Sequence, residues 1–254
     1  MRLYTPSGPF PPILGVGNAA NGSVDNALAP GELVSIYGVG IGPSPAVTAQ
    51  PTSGKYPDSL GGFQVLFNDT PAPLTYASDT QINAVDSANI FSSSVVTIKV
   101  ISNGMTLAQI TVPQVANRPG IFRNGARAAA LNQDGTINSA SNPAKSGSIV
   151  SIWATGASGF SDAGGYVTTS ANVSNYYSPS GSLQLLAPGF LVRPRPNGLY
   201  PVIYAGPAPD LIRAVFQINL QVPSAPTVPP NGQLTMFLLT GGVLSPPASI
   251  YVAL

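Results

Sequence analysis

Nine carboxylates are the groups of this 254-residue chain that could act as acid or base near neutral pH: Asp25, Glu32, Asp58, Asp69, Asp79, Asp86, Asp134, Asp162 and Asp210. The chain contains neither His nor Cys. That excludes Ser-His-Asp and Cys-His nucleophiles, thiolate or imidazole metal sites, and imidazole proton relays. Carboxylate chemistry remains, as in glycoside hydrolysis, where two acids face each other across the scissile bond. Most of the nine, however, stand beside Gly, Pro, Ser or Asn, where Asp bonds its own backbone and builds turns. Asp79 and Asp210 precede the two Gln-Ile-Asn segments and read as turn formers of that kind. The expectation is a chain without catalytic residues, hence not an enzyme.

Asn132-Gln133-Asp134-Gly135 with Asn138 has the spaced oxygens and the glycine of a calcium loop. The position that should carry the bidentate acid is Pro143, so a tight β-turn is the simpler reading. Neither metal nor cofactor is expected.

The aromatic residues fall into three groups. Tyr37 and Trp153 occupy matching places in two similar strands, which predicts core packing like that of the buried Trp of immunoglobulin sandwiches. Phe160, Tyr166, Tyr176 and Tyr177 lie in a long Tyr- and Pro-rich stretch, where they could stack on sugars or pack on a neighbour. The alternative is a loop folded onto its own domain. Tyr4, Phe10, Ile13 and Leu14 stand among four prolines near the start. They could form an extended arm that docks on the open sheet edge of another subunit. Alternatively, Ile13–Val16 opens the first strand of its own sandwich.

Short alternating or β-branched runs must position these residues, because helical periodicity is almost absent. The expected strands are Leu33–Tyr37, Phe63–Phe67, Pro73–Tyr76, Gln81–Val85, Val95–Ile101 and Thr106–Val112. A second set comprises Ala128–Leu131, Ser148–Trp153, Ser182–Leu186, Val202–Ala205, Ala214–Gln221, Gln233–Leu239 and Ala248–Val252. Asn103-Gly104 and Gly241-Gly242 tolerate the positive φ of tight hairpin turns. The two sets repeat one another. Pro30-Gly31-Glu32-Leu33-Val34-Ser35-Ile36-Tyr37 matches Ser146-Gly147-Ser148-Ile149-Val150-Ser151-Ile152-Trp153. Pro73–Ala77 matches Val202–Ala205, and Gln81-Ile82-Asn83 matches Gln217-Ile218-Asn219. This order predicts an all-β chain of two tandem immunoglobulin-like β-sandwich domains. Residues 1–13 form a Pro-rich leader, 14–118 the first domain, and 119–254 the second, with an insertion at about 160–198.

Ten basic residues against nine acidic ones give +1, and only 7% of the chain is charged, against roughly 25% in ordinary domains. There is no basic stripe of the kind nucleic-acid binding needs. Arg118, Arg123 and Arg127 read as a solvated inter-domain segment. So little surface charge provides weak repulsion and favours self-association. No segment reaches the roughly 18 apolar residues of a membrane helix, and prolines break the first twenty residues, so no signal peptide is read in this chain.

The segments APGELVSIYGVGIGP, PLTYASDTQINA, PGIF, AALNQDGTINSASNPAKSGSIVSIWATG and FQINLQVP resemble the duplicated C-terminal domain of many secreted Acidobacteria (Solibacter-type) proteins. That family is similar to immunoglobulin-like modules of the IPT/TIG kind. The resemblance spans roughly residues 14 to 254. It implies an extracellular or cell-surface location and tandem sandwiches, and it implies no reaction. The expected function is therefore a self-associating structural protein of a cell surface or filament, forming a homo-oligomer or polymer. An adhesion or polysaccharide-binding module is the alternative, and a hydrolase the third reading.

Overall fold

The computed structural model describes residues 13–86, 94–157, 165–169, 183–186, 201–223 and 231–253. Every regular element among them is a β-strand, so no helix of the described residues is long and apolar enough to cross a membrane.

Runs with an apolar residue at every second position pleat one face inward. The strands Ile13–Asn18, Leu33–Gly38, Gln81–Val85, Leu74–Ala77 and Val47–Thr48 pair in that order into a five-stranded sheet. Thr70–Pro71, Phe63–Phe67, Val95–Ser102 and Met105–Pro113 form a four-stranded sheet opposite. Between them, Val34, Ile36, Leu74 and Ile82 meet Phe67, Val96, Ile98 and Val100 in one buried cluster. Full burial of each such side chain contributes about 1.5–3 kcal/mol.

The second half repeats the plan. Gly120–Ile121, Ile149–Thr155, Phe216–Gln221 and Val202–Pro207 form one sheet, with Ala130–Asn132 also paired to Ile149–Thr155. Arg123–Asn124, Arg127–Ala128, Ala248–Tyr251, Gln233–Thr240 and Leu183–Leu186 form the other, and Val243–Leu244 folds back on Gln233–Thr240. Ile152, Phe216 and Ile218 from the first sheet pack on Leu234, Met236 and Ile250 from the second.

The sequence landmarks hold equivalent places. Ile36 lies opposite Ile82 and Ser35 opposite Asn83, as Ile152 lies opposite Ile218 and Ser151 opposite Asn219. An irregularity separates Leu74 from Tyr76 and, likewise, Val202 from Tyr204. Asn103 and Gly104 take φ values of 51° and 75° and close the hairpin with Ser102 opposite Met105, as a primed turn requires.

Three expectations need correction. Ile13 and Leu14 are not part of a free arm: Ile13–Asn18 pairs with Leu33–Gly38 of its own sheet, and Ile13 packs on its own core. Leu14 is 58% exposed on that strand. Alternation decides this, because a strand that buries Val16 against the core commits its neighbours to the same sheet. Tyr37 and Trp153 are not core residues. Ile36 and Ile152 point inward, so the pleat turns Tyr37 and Trp153 to the outer face. The Ala128–Leu131 run is two strands, Arg127–Ala128 in one sheet and Ala130–Asn132 in the other. The chain changes layer at Ala129.

Candidate functional site

Of the sequence-singled aromatics, Tyr4, Phe10, Phe160, Tyr176 and Tyr177 lie outside the described residues. Tyr166 is described, and it does not fold only onto its own half. Tyr56 donates its N–H to the Gly165 carbonyl (2.9 Å) and Val167 donates to Gly54 (2.7 Å). Thr168 and Arg213 tie the same segment to residues of the second half through Leu211 and Tyr166 carbonyls. The Tyr166 ring, 47% exposed, lies 5.9 Å from Lys55 Nζ and 5.6 Å from Arg213 Cζ. Part of the insertion thus fastens one sheet pair to the other, with a cation–π contact from each side.

This fastening borders a buried seam. Leu33 and Val85 of the first half share a cluster with Ala208, Ile212, Ala214 and Val215 of the second, and Tyr56, Phe122 and Trp153 pack against it. Leu33 N–H donates to Thr155 Oγ1 (3.0 Å), whose hydroxyl donates to the Ala214 carbonyl (2.7 Å).

Of the three arginines read as a solvated segment, Arg127 is exposed as expected and Arg123 is half-buried. Arg118 is the centre of the polar side of the seam and is buried, which corrects the solvated reading for this residue. Its Nη1 donates to Glu32 Oε1 (2.6 Å), Nη2 to the Ser23 carbonyl (2.9 Å) and Nε to Asp25 Oδ2 (3.2 Å). A second Nη2 bond reaches Asp25 Oδ1. Arg123 also crosses the seam, through its N–H to the Ala20 carbonyl (3.1 Å). The guanidinium fork suits such a task because four donors engage in one plane. Loss of solvation lowers the Arg118 pKa, but Glu32 and Asp25 outweigh it and the net direction is upward.

Glu32 and Asp86 are the carboxylates that turn chemistry alone does not explain. Both are 0% exposed. Burial pushes Glu32 up to about 8, opposed by Arg118 and by the Ala29 N–H. Burial pushes Asp86 up to about 7, opposed by Gln114. The only sign in the sequence was their place at strand ends: Glu32 directly ahead of Leu33, Asp86 directly after Val85.

Other described carboxylates have local partners. Asp58 pairs with Lys55 and Asp69 with Lys99. Asp134 Oδ1 accepts the Thr136 hydroxyl (2.6 Å) and N–H (3.0 Å), bonds that lower its pKa. The Asp134 loop borders an open polar cleft with Asn142, Lys145 and Ser148. Asp210 takes φ 62°, in keeping with a turn role. Among the described residues no three His, Cys, Asp or Glu gather where they could hold a metal ion.

Two further features are a half-buried amide array, with Ser35 buried at one side of it, and an open sheet edge. On the outer face of the sheets that hold Leu33–Gly38 and Ile149–Thr155, an Asn oxygen accepts two bonds. Ser35 and Gln81 donate to Asn83 Oδ1 at 2.9 and 2.8 Å, and Ser151 and Gln217 donate to Asn219 Oδ1 at 2.9 and 2.8 Å. The amide orientation is fixed, with Tyr76 opposite Asn83 and Tyr204 opposite Asn219.

The second feature is the edge strand Met105–Pro113 (MTLAQITVP), nine residues without a charge. It ends the order of its sheet and pairs only with Val95–Ser102. Among the described residues, backbone bonds outward from this strand involve only the Pro113 carbonyl, which accepts from Leu28 (3.2 Å). The edge strand Ile13–Asn18 is different, being covered by residues 23–26 through Asn18 to Ser23 and Asn26 to Val16 bonds.

No protein-family model matches this chain, and no curated protein does. Among solved structures, it resembles a protein crystallised with a xylogluco-oligosaccharide, at TM-score 0.27 and 14% identity, over 94% of this chain and 40% of that one. It also resembles a beta-glycosidase from Bacteroides vulgatus, at TM-score 0.21 and 13% identity, over 96% of this chain and 25% of that one. The chain therefore spans less than half the length of either, and likenesses this distant carry no argument about activity.

Proposed function

We propose that this chain is a non-enzymatic structural protein of the cell surface or extracellular space, built of two tandem immunoglobulin-like sandwiches and joining copies of itself through an open sheet edge. The observation that carries the reading is the strand Met105–Pro113. Natural edges are usually short or carry charge, proline or a cover, since unpaired backbone groups recruit other strands. This one is nine residues long, against a usual five or six, and its exposed positions are Met105, Gln109, Thr111 and Pro113, so proline guards only its last residue. Asp25, Glu32, Asp58, Asp69, Asp134 and Asp210 are occupied by ion pairs or turns, and Asp86 is wholly buried away from any open surface, which is the support for the non-catalytic part of the reading.

Thr111→Lys with Met105→Lys tests it. Both residues are exposed and face the uncharged Thr97 and Ser102 across the hairpin, so the fold tolerates the change to within about 1 kcal/mol. The expected outcome is assemblies that fall apart to monomers in sedimentation and electron microscopy, with an unchanged circular dichroism spectrum. Assemblies of undiminished size would overturn it.

A polysaccharide-binding role is the second reading, favoured by the fixed Asn and Gln amides beside Tyr76 and Tyr204, which offer hydrogen bonds next to an aromatic face. In that case Asn83→Ala and Asn219→Ala abolish retention on a glycan matrix and leave assembly intact.

A further inference from the structure

Residues 114–118 connect the two sheet pairs and are seated from both sides. Val115 N–H donates to the Leu28 carbonyl (2.9 Å) and Arg118 N–H to the Gly156 carbonyl (2.7 Å). Asn18 Nδ2 donates to the Arg118 carbonyl (2.9 Å), and the guanidinium spans Glu32, Asp25 and Ser23. Below the start of this connection lies Asp86. Its N–H donates to the Glu32 carbonyl (3.0 Å), while its two carboxylate oxygens, both wholly buried, have no charged partner and only the Gln114 side chain to favour their charge. Asp86 follows Val85, which is itself part of the seam.

We propose that Asp86 makes this connection a pH-operated latch. With its carboxyl protonated, the connection stays seated on residues 28–32. When the proton leaves, an unpaired buried charge unseats it, and the seam opens along Leu33, Val85, Ile212, Val215 and Trp153.

The charged groups facing this end of the seam are Glu32 ahead of Leu33–Gly38, Asp25 on the loop before it, and Arg118 on the connection. Arg118 is committed to Glu32 and Asp25, so it does not neutralise Asp86, and Gln114 offers only an uncharged side chain. Burial holds the Asp86 carboxyl protonated up to about 7, whereas in the unfolded chain it releases its proton near 4. The stabilising contribution of the protonated group is therefore whole below about 4 and is lost as the pH rises through about 7. Glu32 is shifted in the same direction, up to about 8, with Arg118 opposing its burial, so Glu32→Gln separates its contribution from that of Asp86.

The chain holds one tryptophan, and Trp153 packs on the seam, so its fluorescence reads the opening. Between pH 6 and 8.5, wild-type emission is expected to shift to longer wavelength with unchanged circular dichroism. Asp86→Asn should lose the shift, and Glu32→Gln should keep it. Constant wild-type emission, or an equal shift in Asp86→Asn, overturns the latch. Should Asp86→Asn fail to fold, small-angle scattering of the wild type decides: a radius of gyration that grows over the same interval supports the latch, and an invariant one removes it.

Discussion

Arg118→Ala is expected to destabilise the protein by about 3–5 kcal/mol, the range for removing one partner of a buried ion pair. The loss removes the charged partner of the buried Glu32, leaving it the Ala29 N–H (2.8 Å) and Asn18, and leaves the Ser23 carbonyl and Asp25 without their donor. Urea unfolding monitored by circular dichroism measures it. Two companions sharpen the result. Arg118→Lys retains the charge but not the fork, so it should recover only part of the loss. Glu32→Gln together with Arg118→Met should cost less than Arg118→Ala alone, because no unpaired charge is then buried. A loss under 1 kcal/mol for Arg118→Ala would show that water reaches the seam.

The second large effect belongs to Gly156. It follows the strand Ile149–Thr155 with φ 81°, a left-handed conformation that costs an L-residue about 1 kcal/mol or more. A Cβ there would also collide with the backbone carbonyl of Arg118, which cannot swing aside because Asn18 holds it. Gly156→Ala is therefore expected to cost about 2–4 kcal/mol, strain and overpacking together. Gly125→Ala is the control: its φ is 60°, but a Cβ there meets open space, so only the conformational cost of about 1 kcal/mol remains. Thermal melts of the two variants side by side check the prediction. Equal losses would mean that Gly156 is required for its φ alone.

Both residues show where a linear reading runs out. In the sequence Arg118 is one of three arginines in a Pro-Gly-punctuated connection, a pattern that reads as solvated. Its partners Glu32 and Asp25 lie 86 and 93 residues earlier. No local spacing reports a contact at that range. Tyr166 illustrates the same limit: its composition marked a loop, but the sheet pair it would join could not be read from residues 160–198.

What the amino-acid order determined by itself is most of the longer strands and the repeat. Apolar alternation defines Phe63–Phe67 and Gln81–Val85 to the residue, because a pleated strand buries every second side chain whatever lies beyond it. Asn103-Gly104 determined its hairpin through backbone sterics alone. The match of Trp153 to the buried Trp of immunoglobulin sandwiches misled, because the pleat that buries Val150 and Ile152 turns Trp153 outward. Tertiary structure alone decided what covers those outer faces and edges. It buried Leu33 and Val85 and half-buried Trp153 in the seam between the sheet pairs, sealed the Ile13–Asn18 edge with residues 23–26, and left most of Met105–Pro113 open. It also made Glu32 and Asp86 unusual, since a carboxyl departs from its ordinary pKa only when distant parts of the chain take away its water.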